Sequence, residues 1–144
     1  MSLPFQIIET HGKQLAYIVR ANWSPAKTEF LTPDSFSLQM GMIVYPKGHS
    51  IEPHLHLPVV REVHGTNEVV VVRSGTCEVD IYDDDRLHVG SYFLYQGDVI
   101  LLLGGGHGFR MHEDTVLFEV KQGPYVGTAD KIRFRANLIE NDRP

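Results

Sequence analysis

The sequence has a single cysteine, Cys77, so it cannot form a disulfide within one chain. It also lacks long apolar runs, because stretches such as 99–103 are far shorter than the roughly 20 residues that a membrane-spanning helix needs. Its first ten residues, MSLPFQIIET, have neither the basic start nor the apolar stretch of a secretory signal. These absences predict a protein of the reducing cytoplasm that has no membrane partner.

Positive charge is also in short supply. The chain has 13 Lys and Arg against 18 Asp and Glu, a formal net charge of -5, and the basic residues are scattered along it. A phosphate backbone is bound by a stripe or patch of basic side chains, so we expect no nucleic acid partner. The 144 residues are 42% hydrophobic and 22% charged, which predicts one globular domain over residues 1–144.

No long helical pattern is present. Short stretches rich in Val, Ile, Tyr and Phe recur between Gly, Pro, Asn and Asp, which is typical of an all-β chain. The predicted strands cover residues 6–10, 14–21, 36–45, 52–56, 68–73, 77–82, 87–95, 99–103, 107–112 and 116–122. Segment 21–35 is left unassigned, and 131–139 is either a last strand or a packed tail. So many short strands predict a sandwich or barrel.

Histidine is the compositional exception, with eight residues, four of them between positions 49 and 64. His54 and His56 lie two apart in a predicted strand, so both side chains point to the same face. Imidazole is a common metal ligand, although such a pair alone is more often solvated. Glu68 begins the segment EVVVVR and His107 follows three glycines, and each converges on the pair if the sheet closes on itself.

Two motifs resemble those of the cupin family. The first consists of Gly48, His54, His56, Glu68 and Gly75, and the second of Gly97, strand 99–103 and His107. The resemblance spans about residues 36–123. It implies an all-β, double-stranded β-helix (jelly-roll) cupin barrel. It also implies one divalent transition metal, whether Fe, Mn, Ni, Cu or Zn, held by His54, His56, Glu68 and His107.

The sequence departs from the family pattern at two places. The loop LPVVREVHGTN separates His56 from Glu68, where the family has a much shorter spacing. Glu62 in this loop is a rival carboxylate, but only Glu68 is followed by a strand and then by Gly75. In the second motif Leu103 and Met111 replace the usual Pro and Asn, and the histidine comes one residue early. We therefore assign the carboxylate to Glu68.

Two functions remain open. The first is a metal-dependent enzyme on a small oxygen-rich substrate, a dioxygenase or a sugar isomerase or epimerase, and the second is a non-catalytic module that binds a small molecule. A barrel of this family that has lost its metal is a third reading of the histidines.

The resemblance also implies a homodimer in which N-terminal strands such as 14–21 cover a sheet edge. Two sets of residues are candidates for the chemistry: Val70, Val72, Phe109 and Met111 for the lining, and His49, Arg61, Glu62 and Tyr95 for an acid or base. No catalytic residue is assigned.

Overall fold

A computed structural model describes residues 5–136, and this part of the chain is all-β, without an α-helix. Its strands are β1 (Phe5–Thr10), β2 (Lys13–Val19), β3 (Glu29–Phe30), β4 (Gly41–Met42), β5 (Glu68–Ser74), β6 (Thr76–Tyr82), β7 (His88–Tyr95), β8 (Val99–Leu102), β9 (Gly106–Met111) and β10 (Val116–Lys121), followed by one 3-10 turn, Gly127–Ala129. Within residues 5–136 no helix is long and apolar enough to cross a membrane.

The chain divides into two compact units. The larger one, which we call the sheet unit, comprises Met1–Asn22 and Thr66–Pro144, and the smaller one, the insert unit, is Trp23–Gly65. The candidate ligands are therefore distributed over both: Glu68 and His107 belong to the sheet unit, and His54 and His56 to the insert unit. One domain over residues 1–144 stays a prediction.

The sheet unit contains two antiparallel sheets. The first has the strand order β1-β2-β8-β5-β10, and the second has the order β7-β6-β9. Strands distant in sequence are neighbours here, as in the pairing of β2 with β8 and of β5 with β10. In the part of the chain that the structure describes, neither sheet closes into a barrel. The all-β prediction is confirmed at this level.

Both sheets contribute to one hydrophobic core. In β5 the alternate residues Val70 and Val72 are 2% and 1% exposed, and in β6 the alternate residues Cys77, Val79 and Ile81 are at most 1% exposed. All five belong to the same cluster of buried side chains. Because side chains alternate across a strand, these positions define the inner face of each sheet. Cys77, the single cysteine of the chain, is thus buried in this core.

The insert unit corrects two strand predictions. Of the predicted strand 36–45 only Gly41–Met42 is extended and paired, with Glu29–Phe30 as its partner. The predicted strand 52–56, which carries His54 and His56, is irregular. Pro53 and Pro58 flank the two histidines, and proline has no N–H to donate to a sheet ladder. The two alternating histidines therefore lie in a segment whose backbone does not form the regular hydrogen bonds of a strand.

The outer face of the three-stranded sheet carries a network of ion pairs. Arg110 on β9 donates two hydrogen bonds to Asp80 on β6, from Nε at 2.9 Å and from Nη2 at 2.8 Å. It also lies 3.0 Å from Glu78, which in turn contacts His112 at 3.0 Å. The bonds from Arg110 lower the pKa of Asp80 below its ordinary value of 3.8. A bidentate arginine–carboxylate pair has a defined geometry, so it favours one register of the two strands in addition to neutralising the two charges.

Replacing Arg110 by Met should therefore make the protein less stable in a pH-dependent way. Because the pKa of Asp80 is depressed in the folded state, the pair stabilises the protein above the ordinary Asp pKa of 3.8, and this stabilisation disappears as the pH falls through the lower, folded value. Urea unfolding of both proteins should show a difference at about pH 7 that shrinks below about pH 3.5. Arg73→Met, at an exposed cation of β5, is the control, and a pH-independent difference for Arg110→Met would contradict the assignment.

Candidate functional site

Glu68 is the first residue of β5 and lies on the inner face of the five-stranded sheet. It alternates with the buried residues Val70 and Val72, and its direct neighbours across the sheet are Leu102 on β8 and Lys121 on β10. Its side chain is 15% exposed. A carboxylate held at the end of an otherwise apolar strand face needs a polar partner, because burial penalises its charged form.

That partner is His107, the second residue of β9. His107 pairs with Ile81 of β6, a core residue, so it lies on the inner face of the three-stranded sheet. Its ring is 6.0 Å from that of Phe109, which occupies the next position on the same face and packs on the core. The two sheets thus present one carboxylate and one imidazole from their inner faces.

The two side chains are in contact, with His107 Nε2 3.1 Å from Glu68 Oε2. This hydrogen bond is the main reason that the pKa of Glu68 is lowered, and it outweighs the opposite effect of partial burial. The positive charges of Lys121 and Lys131 act in the same direction. Glu68 and His107 therefore lie together, whereas their convergence on His54 and His56 stays a prediction. Their function as metal ligands stays a prediction.

His54 and His56 lie close together within the insert unit. Their ring centroids are 5.3 Å apart and their planes are inclined by 76°. His54 Nδ1 is 3.0 Å from the carbonyl oxygen of Glu52, which can only accept, so Nδ1 is the donor and Nε2 is the ring nitrogen left for another partner. Metal-binding histidines commonly have this arrangement, with one ring nitrogen donating to a carbonyl and the other binding the ion. Both residues are exposed.

The rival carboxylate, Glu62, lies elsewhere in the insert unit. Its Oε1 atom is 3.0 Å from Nε2 of His64, and both side chains are 85% exposed. An ion pair this exposed has little influence on stability, since water and salt screen it. Glu62 and Glu68 thus differ in the property that matters for a site: only Glu68 occupies the inner face of a sheet.

Of the four expected lining residues, Val70 and Val72 are buried in the core and Phe109 packs against the core cluster, whereas Met111 is 52% exposed. Tyr95, a candidate acid or base, is the last residue of β7. It pairs with Thr76, one position from the core residue Cys77, so it lies on the outer face of its sheet, opposite to His107. It stacks there on Phe93, with ring centroids 6.2 Å apart. Of the candidates in the insert unit, His49 stacks on Tyr45 at 4.5 Å and Arg61 is exposed.

Two basic residues near Glu68 were not predicted from the sequence. Lys121 lies directly opposite Glu68 in the β5–β10 ladder, and Lys131 follows Asp130, which is 3.7 Å from Lys121. The pairing of β5 with β10 joins strands 48 positions apart, the separation of Glu68 from Val116, and no local pattern determines that register. The only sequence signal was the alternation of basic and apolar residues in 131–135, KIRFR.

Among residues 5–136 no group of three or more His, Cys, Asp or Glu side chains is close enough to hold a metal ion. The described structure therefore contains two pairs of candidate ligands: Glu68 with His107, and His54 with His56. Comparison of the chain with protein-family models, with curated proteins and with solved structures finds no match. The residues and their geometry are thus the whole basis for a functional assignment.

Proposed function

We propose that the chain is a metal-binding protein of the cupin type, in which His54, His56, Glu68 and His107 together hold one divalent transition ion. The observation that carries this proposal is the meeting of Glu68 and His107 at 3.1 Å between the inner faces of two antiparallel sheets. The double-stranded β-helix is part of the same proposal. Two sheets that share one core support it.

The donor set fits such an ion. Three imidazoles and one carboxylate suit Fe, Mn, Ni, Cu or Zn. Glu68 and His107 would supply one carboxylate and one imidazole to the ion, and His54 and His56 would supply two further imidazoles. In a six-coordinate ion four protein ligands leave two positions for a small molecule. A bound metal polarises a carbonyl oxygen or activates water there.

The reaction class that we propose is chemistry on a small oxygen-rich molecule, by a dioxygenase or by a sugar isomerase or epimerase. The inner face supports a ligand of this size, because Val70, Val72 and Phe109 supply apolar surface next to the polar pair. The second candidate is a binding module without turnover. The position of Tyr95 favours it, since the one acid or base candidate in the sheet unit lies on the face opposite to His107.

Elemental analysis of protein purified without an affinity metal column tests the metal. We expect close to one transition ion per chain, because the four ligands form one set. The double variant His54→Ala, His56→Ala should lose this ion, whereas the double variant His11→Ala, His64→Ala, at two exposed histidines, should keep it. Affinity should fall as the pH drops through the histidine range near about 6.5, where protons compete with the ion.

The same experiment tests the ligand set. If the His54, His56 double variant retains its full metal content, the ion is held without these two histidines and the ligand set is wrong. If the native protein carries no ion after incubation with Mn²⁺, Fe²⁺, Ni²⁺, Cu²⁺ or Zn²⁺, the chain is a metal-free binding domain.

The expected homodimer is likewise part of the proposal. β2 lies between β1 and β8 within its own sheet, so β1 is the N-terminal strand at an edge.

A further inference from the structure

β10 forms one edge of the five-stranded sheet. It is the last strand in the order β1-β2-β8-β5-β10, so β5 is its neighbour on one side only. Within residues 5–136 no backbone hydrogen bond other than those of the sheet reaches β10. An edge strand of this kind presents a row of free N–H and C=O groups with which another strand can pair.

The outer face of β10 is apolar. Phe118 pairs with Val71 and Val120 pairs with Val69, so both lie on the face opposite to the core residue Val70. Phe118 is 54% exposed and Val120 is 49% exposed. Apolar side chains that alternate along an open edge favour association through this edge, because pairing removes part of their surface from water.

The opposite edge of the sheet, β1, is less suited to pairing. Its register with β2 shifts between Ile8 and Glu9, and such a bulge interrupts the row of free backbone groups. In β10 the shift lies at the first residue, between Val116 and Leu117, so the pairing of residues 117–121 is regular. β10 is therefore the edge that offers a continuous ladder.

The hydrogen bonds of β5 indicate which groups of β10 face the open side. Val72 bonds with both of its backbone groups to the turn before β8, at 2.7 and 3.0 Å. Because the direction of these groups alternates along a strand, Val71 bonds to its β10 partner Phe118 instead. The backbone groups of Glu119 and Lys121 then point to the open side.

The charges of β10 favour one antiparallel register with a second copy of the chain. Glu119 opposite its own symmetry mate would bring two carboxylates together, and Glu119 opposite Leu117 would place a charge against an apolar side chain. Glu119 opposite Lys121 of the second copy pairs opposite charges on both sides of a two-fold axis. The Lys121 side chain is 31% exposed and lies 3.7 Å from Asp130, beyond hydrogen-bond distance, so its ammonium group can donate to another acceptor.

We propose that β10 pairs antiparallel with β10 of a second copy of this chain, with Val120 on the two-fold axis and Glu119 opposite Lys121 of the second copy. Two five-stranded sheets then become one continuous sheet, and each Phe118 lies diagonally next to Val120 of the other copy on its outer face. The inference rests on the homodimer of the proposed function for the identity of the partner, and it places the contact at β10 instead of β1.

Cysteine cross-linking of the full chain tests the pairing. In the proposed register the two Val120 residues form a non-hydrogen-bonded pair whose Cα atoms are about 4.5 Å apart, a separation that a disulfide spans. Val120→Cys should therefore form a disulfide-linked dimer on mild oxidation, with twice the mass of the chain on a non-reducing gel. The native protein should remain uncross-linked, because Cys77 is buried.

Phe118→Cys is the matched control, since Phe118 lies on the same face and is similarly exposed. In the proposed register its Cα atom is about 13 Å along the strands from its symmetry mate, at about 3.3 Å per residue, which a disulfide cannot span. Cross-linking of Phe118→Cys without cross-linking of Val120→Cys would overturn the pairing. Cross-linking of Ile7→Cys, on β1, in place of Val120→Cys would return the contact to the N-terminal edge and also overturn it.

Sedimentation equilibrium measures the contribution of the charges. Glu119→Lys should raise the dissociation constant of the dimer at least about tenfold, because two attractive pairs become repulsive. Glu9→Lys makes the same change at an exposed residue of β1 and should leave the constant unchanged. A native protein that stays monomeric at micromolar concentration overturns the inference, and slow hydrogen exchange at Glu119 in that monomer would show that another part of the same chain covers the edge.

The metal content of the same samples separates this inference from the proposed metal site. A cross-linked Val120→Cys dimer that takes up no ion supports the contact at β10 and rejects the metal. One ion per chain in a protein that stays monomeric supports the metal and rejects the contact at β10.

Discussion

Glu68→Gln should reduce the affinity of the protein for the proposed transition ion by roughly 100-fold, or about 2.8 kcal/mol at 1.4 kcal/mol per factor of ten. The substitution keeps the size of the side chain and removes the negative charge that the ion requires. It also replaces the charged oxygen that lies 3.1 Å from His107 Nε2 by a neutral amide group, so the imidazole is oriented by a weaker hydrogen bond. A chelating dye that competes for the ion measures the change.

Glu62→Gln is the matched comparison, because it makes the same chemical change at the other candidate carboxylate. Glu62 contacts only the exposed ring of His64 in the ion pair described above, and we expect its substitution to leave metal affinity unchanged. Loss of the ion in Glu62→Gln with retention in Glu68→Gln would place the carboxylate in the loop. The contact of Glu68 with His107 would then be an internal ion pair of the two sheets. Far-UV circular dichroism confirms that both variants are folded.

The strands of the sheet unit could be predicted because each has its own local signal. Alternating apolar residues end at turn glycines, and the structure explains two of these chemically. Gly75 has φ of 88°, and a Cβ atom there would overlap the backbone oxygen of Asp114. Gly97 also has φ of 88°, and a Cβ atom there would lie 2.7 Å from the methyl group of Ala21. Local sterics therefore set the strand ends that the cupin-like motifs mark.

The insert unit could not be predicted in the same way. The alternation in 52–56 was correct as a pattern, but Pro53 and Pro58 remove backbone donors on both sides of His54 and His56. Apolar periodicity reports which residues are suited to a sheet and says nothing about whether the backbone can join one. The two-residue strands β3 and β4 are too short to give any periodic signal.

In the candidate site, too, some features could be predicted from the sequence and others could not. Glu68 and His107 were singled out from strand ends and glycines, and the structure brings them together. Lys121 was missed because its position opposite Glu68 depends on a long-range register. The face on which Tyr95 lies could not be predicted, because the choice between inner and outer face needs a reference residue. The burial of Cys77 provides this reference only once the structure is known.

Gly105→Ala should destabilise the sheet unit by about 3 kcal/mol or more, the second large effect that we expect. Gly105 has φ of 65°, and a Cβ atom at this position would overlap the carbonyl oxygen of Tyr82 and lie 3.3 Å from a methyl group of Leu15. An L-residue in this conformation costs about 1 kcal/mol by itself. The overlap with the backbone of β6 adds the remainder, because neither strand can move without breaking its ladder.

Gly12→Ala separates these two contributions. Gly12, in the β1–β2 hairpin, has φ of 74°, but no atom lies within 4 Å of the position that its Cβ would take. It should therefore cost only about 1 kcal/mol, and urea unfolding measures both variants. Equal losses would show that the carbonyl of Tyr82 yields to the new methyl group. Because His107 lies two residues after Gly105, Gly105→Ala should also displace the imidazole from Glu68 and lower metal affinity. Gly12→Ala should leave metal affinity unchanged.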